Sequence, residues 1–189
     1  MDTLHDSGWL DRRVGLMLAC ALSLVLLYCG QAIAQTCKPT TILASTPSSD
    51  FIDNGNGTLT HTKTGLMWKR CSEGQTWNGT TCTGAAATYT WSAALGQAVT
   101  LNNAGGFAGF SDWRAPNLKE LASIVEAQCY YPAINLTMFP ATVNLGVYWS
   151  ATPSVATGTK AWAEDFSQGG PGVYLKSSAH ELRLVRGGL

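Results

Sequence analysis

Ser111-Asp112-Trp113-Arg114-Ala115-Pro116-Asn117-Leu118-Lys119-Glu120-Leu121 places a turn, a large aromatic and a helix start within eleven residues. Asn117 suits a helix N-cap, and Glu120, three positions on, can return a hydrogen bond to the cap's own backbone N–H, completing a capping box. Pro116 then stands just outside the helix. Leu118, Leu121, Ala122 and Val125 recur at three- and four-residue spacing, so they share one face of a helix predicted to run to about Ala127. That face needs a sheet beneath it. Trp113 is expected in the core and Arg114 in a structural role.

Upstream of this stretch, Phe51-Ile52-Asp53 and Thr58-Leu59-Thr60-His61 read as strands joined across Asn54-Gly55-Asn56-Gly57, a hairpin. Thr64-Gly65 makes a second turn, and Leu66-Met67-Trp68 the next strand, with Trp68 in the core. Asp53, Asn54 and Asn56 imitate the start of a calcium loop, but Thr64 stands where an EF-hand loop has its bidentate acid, so a plain turn is the reading. Trp91, Ala94, Leu95 and Ala98 share a face of a first helix over Trp91–Val99, closed by Asn102-Asn103-Ala104-Gly105-Gly106. Downstream, a long loop from Tyr130 to Gly146 leads to four predicted strands: Val147–Ala151, Ala161–Phe166, Gly172–Lys176 and Glu181–Arg186. Pro153, Gly158 and Gly169-Gly170-Pro171-Gly172 separate them. The expected class is α+β, a single domain over 51–189, with an antiparallel sheet, two helices and long loops.

The N-terminal segment reads differently. Arg12 and Arg13 precede an uncharged, mostly apolar run from Val14 to about Cys29, and Ala32-Ile33-Ala34 offers an A-x-A cleavage site. Residues 1–34 are therefore read as a signal peptide, and Gln35 as the first mature residue. The apolar run is about 16 residues, short of the roughly 20 that a spanning helix needs, so no stable membrane span is expected after processing. Residues 35–50, rich in Thr, Pro and Ser, form an extended arm.

Export removes Cys20 and Cys29 and leaves Cys37, Cys71, Cys82 and Cys129. In an oxidising compartment an even set reads as disulfides, with three connectivities open. Cys71 and Cys82 bracket a polar loop that buries little by itself, so a local bridge is expected there. The remaining pair, Cys37 and Cys129, would tie the arm to the domain. No C-x-x-C pair occurs, and His61 and His180 lie far apart in sequence, so no metal site or cofactor is expected.

Trp113-Arg114-x-Pro116-x-x-x-Glu120-Leu121 resembles the signature of the C-terminal domain family of the Legionella collagen-like protein. Thr64-Gly65-Leu66-Met67-Trp68, Tyr148-Trp149-Ser150, Ala161-Trp162 with Asp165-Phe166, and Arg183-Leu184-Val185-Arg186 match the same family, in its order. The resemblance implies a fold similar to C-type lectin-like domains and, from the named member, binding of sulfated polysaccharide. It implies no catalytic mechanism.

Chemistry from the residues themselves is sparse. Gly109-Phe110-Ser111-Asp112-Trp113 lacks the second Gly of a nucleophile elbow. Glu164 and Asp165, adjacent on a strand, point to opposite faces and do not act as a pair. Arg183 and Arg186, at odd separation on one predicted strand, are each assigned to a carboxylate partner rather than to an anion clamp. Lys160 and Lys176, near the sheet edge, are the candidate polysaccharide contacts. From Gln35 onward, 12 less 2 basic residues leaves ten, and 12 less 3 acidic residues leaves nine, a net charge of +1 that gives no pull towards nucleic acid.

These features together point to a secreted, periplasmic or cell-surface binding module, not an enzyme. Its ligand is expected to be an extracellular polysaccharide or glycosaminoglycan, bound without calcium because the Glu-Pro-Asn and Trp-Asn-Asp sugar signatures are missing. A homo-oligomer would add avidity. The alternatives are an envelope assembly module and an enzyme related to formylglycine-generating proteins, which needs a free thiol.

Overall fold

A computed structural model describes residues 34–187; the apolar run Val14–Cys29 of the expected signal peptide lies outside the described residues. In chain order the strands before the helices are β1 Thr36–Cys37, β2 Phe51–Asp53, β3 Thr58–His61, β4 Leu66–Lys69, β5 Thr76–Trp77, β6 Cys82–Thr83 and β7 Thr88–Tyr89. The helices are α1 Trp91–Asn103 and α2 Leu118–Ala122. Then come β8 Cys129–Tyr130, β9 Val147–Pro153, β10 Lys160–Asp165, β11 Gly170–Leu175, β12 His180–Glu181 and β13 Val185–Arg186. The result is a mixed α+β structure whose sheets are mostly antiparallel, with two disulfides.

The capping box forms. Asn117 Oδ1 accepts from the Glu120 backbone N–H at 2.9 Å, and Glu120 carboxylate accepts from the Asn117 N–H at 2.7 Å. The helix it starts is shorter than the spacing predicts, ending at Ala122 instead of about Ala127. Ser123 turns its hydroxyl onto the Glu120 carbonyl at 2.6 Å, and the N–H groups of Ile124 and Val125 reach only three residues back. That tightening ends the regular helix. It delivers Val125 to a bridge with Ile134.

α1 errs in the other direction, running four residues past Val99. Asn102 belongs to the helix, and its amide is spent on the central stretch: it donates to the Trp113 carbonyl at 2.8 Å and accepts from the Trp113 N–H at 3.1 Å. Closure falls to Gly105 and Gly106. At Gly106, with φ +78°, a Cβ would collide with the Phe110 carbonyl, so only glycine fits.

The expected single antiparallel sheet is two main sheets. One has five strands in the order β11-β10-β9-β12-β7, and the other four in the order β13-β4-β3-β2. In the first, β12 meets β9 in parallel at Glu181 and Tyr148, the one departure from antiparallel pairing. The predicted strand Glu181–Arg186 is therefore not one strand: Glu181 pairs in the first sheet and Val185 pairs with Trp68 in the second. Leu182 and Leu184, both buried, carry the chain between them.

Two cores lie on opposite faces of the five-stranded sheet. Ala161, Ala163 and Trp149 meet Ala94 and Ala98 of α1, with Trp113 and Leu184 in the same cluster. Tyr148 from β9 faces the other way, towards Leu121, Ile124, Phe166 and the second sheet's Leu59, Trp68 and Val185. Alternation along β9 therefore sends neighbouring aromatics into separate cores.

The arm is fastened at several places along its length. Cys37 and Cys129 are opposed across the β1–β8 pair and joined by a disulfide. The buried Glu126 carboxylate accepts from the backbone N–H groups of Ser45 and Thr46, both at 2.9 Å. Burial pulls its pKa up, but the N–H groups of Gln128, Ser45 and Thr46 outweigh that and hold it below the ordinary value. The second disulfide, Cys71–Cys82, brackets the β5–β6 hairpin.

Glu164 on β10 is 1% exposed and its Oε2 has no hydrogen-bond partner. Burial, then the neighbouring Asp165 charge, push its pKa up to about 7. A carboxyl whose folded pKa lies above its unfolded value binds its proton more readily in the folded state. It therefore stabilises below the unfolded value of 4.5, and that contribution is lost as pH rises towards 7. Glu164→Gln is expected to raise the melting temperature relative to the parent at pH 8 and to leave it nearly unchanged at pH 4. Equal shifts at both pH values would remove the ionisation argument.

Candidate functional site

The lysines singled out by sequence, Lys160 and Lys176, lie near each other at one end of the β10–β11 pair, where the Lys176 N–H donates to the Thr159 carbonyl at 2.9 Å. Lys160 opens β10, and Lys176 stands in the turn just after β11. Lys176 is also occupied: its Nζ donates to the Gly158 carbonyl at 2.8 Å and stands 4.3 Å from the centre of the Trp91 ring.

The arginines divide. Arg186 pairs with Asp112 at 2.6 Å and covers the Phe110 ring, as a carboxylate partner should. Among the described residues Arg183 has no carboxylate partner, which corrects its assignment. It is 0% exposed, wedged against the rings of Phe139 and Tyr148. Its guanidinium donates to the carbonyls of Lys69 and Arg70 and to the hydroxyls of Ser72 and Thr142. The cause is the sheet change at 182–184, which turns this segment inward. Arg114 grips Glu120 through two bonds of 2.7 Å, bracing the capping box.

A recess of about 260 Å³ opens where the β2–β3 turn, the end of β4, the disulfide hairpin and the loop after α1 converge. Its walls include Asn56, Gly57, Lys69, Gln75, Trp77 and Phe107. The turn Asn54–Gly57 shapes one side. Asp53 accepts from the Gly55 N–H at 2.9 Å, and Asn56 Oδ1 accepts from the Thr58 hydroxyl at 2.6 Å. These hydrogen bonds fix the shape of the turn. Gly57, at φ +81°, lies so close to Trp77 and Phe107 that a Cβ would press on both rings.

Two cations sit against those rings. The Arg70 guanidinium is 4.4 Å from the Trp77 ring centre and pairs with Asp53 at 2.5 Å. The Gly55 N–H first, and the Arg70 bond and charge with it, hold the Asp53 carboxyl below its ordinary pKa. Lys69 Nζ lies 4.7 Å from the Phe107 ring centre and pairs with the buried Glu73 at 2.5 Å. Glu73 also accepts from Gln97 of α1 at 3.3 Å, which ties the recess to that helix.

Of these residues the sequence reading weighs only Asp53 and Asn56, and those as a calcium-loop imitation. Trp77, a lone large aromatic among turn formers inside the cysteine loop, was the available signal. Among the described residues no group of three or more His, Cys, Asp or Glu is placed to hold a metal ion. Cys37, Cys71, Cys82 and Cys129 are all in disulfides. Disulfides persist in oxidising compartments, which fits an extracytoplasmic location. No helix among the described residues is long and apolar enough to cross a membrane.

Fold and recess together define a disulfide-braced α+β domain with an aromatic pocket on a rigid frame. The chain belongs to the Lcl C-terminal domain family, whose family model matches residues 57–186. The match spans the capping box, both helices, the recess residues Gly57, Lys69, Gln75, Trp77 and Phe107, and the buried Arg183. No curated protein matches the chain in sequence.

Proposed function

We propose that this domain is an extracytoplasmic binding module that recognises an extracellular polysaccharide without calcium. The observation that carries the reading is the recess itself: two half-buried aromatics beside a turn, with amide and ammonium donors on the same walls. Sites for small polar ligands combine apolar walls with a few placed polar groups in this way. The C-type lectin-like architecture implied by the family resemblance belongs to the same reading. A non-enzymatic role is supported by the four paired cysteines, which leave no thiol among the described residues of the kind a formylglycine-type enzyme uses. With a net charge near +1 after export, a single copy has weak electrostatic reach, so a homo-oligomer would supply affinity through repeated contacts.

A glycan array probed with the disulfide-bonded domain, once with calcium and once with chelator, tests this. Equal binding to a polysaccharide family in both conditions is the expected result. Binding that disappears in chelator would overturn the metal-independent mechanism, and no binding to any glycan by folded protein would shift the reading to an envelope assembly module.

A further inference from the structure

We infer that the recess between Trp77 and Phe107 takes one uncharged sugar ring, so that a neutral polysaccharide, not a sulfated one, is the ligand; this rests on the polysaccharide reading above. Three observations lead there. The first is charge. Both cations at the recess already have a carboxylate at 2.5 Å, Lys69 with Glu73 and Arg70 with Asp53. Each pair presents a dipole rather than a net charge, and the attraction it offers an incoming sulfate falls off faster than that of a free ammonium. The walls are polar but electrically balanced.

The second observation is the pattern of unspent donors. Lys69 is 8% exposed, faces the recess, and commits one of its three ammonium protons to Glu73 Oε1. Asn56, which uses its carbonyl oxygen on Thr58, is also a lining residue and carries an amide donor. Both offer donors to hydroxyl, ring or acetamido oxygens. The third is shape. Trp77, packed under Arg70, and Phe107 are both among the lining residues, and such rings suit the C–H face of a pyranose. About 260 Å³ lies below the roughly 300–1,000 Å³ of sites for drug-sized ligands, which suits a single ring held at one point along a chain. Gly57 lets the two rings close up at that end of the recess, since a Cβ there would press on both.

The test is calorimetric titration of the disulfide-bonded domain with short uncharged oligosaccharides of glucose and of N-acetylglucosamine, and in parallel with a heparin oligosaccharide. Each is measured at about 0.05 M and about 0.5 M salt, which spans the range over which exposed charges become screened. The expected result is binding of an uncharged oligosaccharide that changes less than about twofold with salt and weakens about tenfold or more in Trp77→Ala. Phe107→Leu, a milder change, should weaken it in the same direction, and melting temperatures of both variants establish that they are folded. Heparin binding alone, lost at high salt and insensitive to Trp77→Ala, would overturn the neutral-sugar assignment while leaving the polysaccharide reading intact. Absence of binding to every probe would overturn both.

Discussion

Replacing Arg183 by Met is expected to destabilise the domain by about 3–5 kcal/mol, in the range for large buried side chains and broken buried polar networks. The argument weighs two opposing effects. Burial makes the guanidinium costly to desolvate, and burial accordingly lowers its pKa. Against that, it supplies donors to four protein oxygens, two of them main-chain carbonyls, and fills space between Phe139 and Tyr148. Met can refill part of the volume but offers no donor, and each buried acceptor left unpaired costs about 1–3 kcal/mol. Loss wins because several acceptors are stranded at once. Arg183→Lys keeps the charge but not the planar fork, so it should recover less than half of the deficit. Urea denaturation followed by tryptophan fluorescence gives the comparison, and an unchanged midpoint for Arg183→Met would show that desolvation and donation cancel.

Trp113→Ala should cost a similar amount, about 3–5 kcal/mol, by a different route. The indole is 2% exposed, its N–H donates to the Phe107 carbonyl at 3.0 Å, and its ring meets Phe107 edge-on at 6.0 Å between centres. Truncation opens a cavity between α1 and the sheet and also loosens the loop that carries Phe107 to the recess. A domain of ordinary stability, about 5–15 kcal/mol, would lose a large share of it. Asn102→Ala, which removes the two bonds to the Trp113 backbone and leaves the indole in place, should cost less than Trp113→Ala. A Trp113→Ala protein with the parent melting temperature would mean that the side chain is not a core element.

How much of this could be read in advance varies with the range of the interaction. The capping box was legible because Asn117 and Glu120 are three residues apart and satisfy each other. The end of α2 was not, because Ser123 competes with the backbone through its hydroxyl, a choice the apolar spacing does not record. Glu181–Arg186 alternates as a strand does, and Leu182 and Leu184 are indeed buried, but alternation says nothing about which neighbour a residue pairs with. Arg183 was assigned a carboxylate partner from that pattern, while the groups that make burial tolerable, Arg70, Ser72 and Thr142, lie far away along the chain. The recess follows the same rule. Lys69 and Trp77 come from either side of a disulfide half-cystine, and Phe107 arrives from beyond α1, so no local window contains the site.

The crossing of the chain from β12 to β13 has a consequence in time as well as in space. During synthesis β4 appears early, with Leu66, Met67 and Trp68 in a row, and its partner β13 follows only after more than a hundred further residues, as the separation of 113 between Arg70 and Arg183 records. Until then β4 has β3 on one side and an open apolar edge on the other. Such an edge recruits other chains, and the long closure that covers it is slow to form. The vulnerable interval of this protein's life is thus the wait for its own late-arriving segment, when a holding chaperone on β4 would do most to protect the yield.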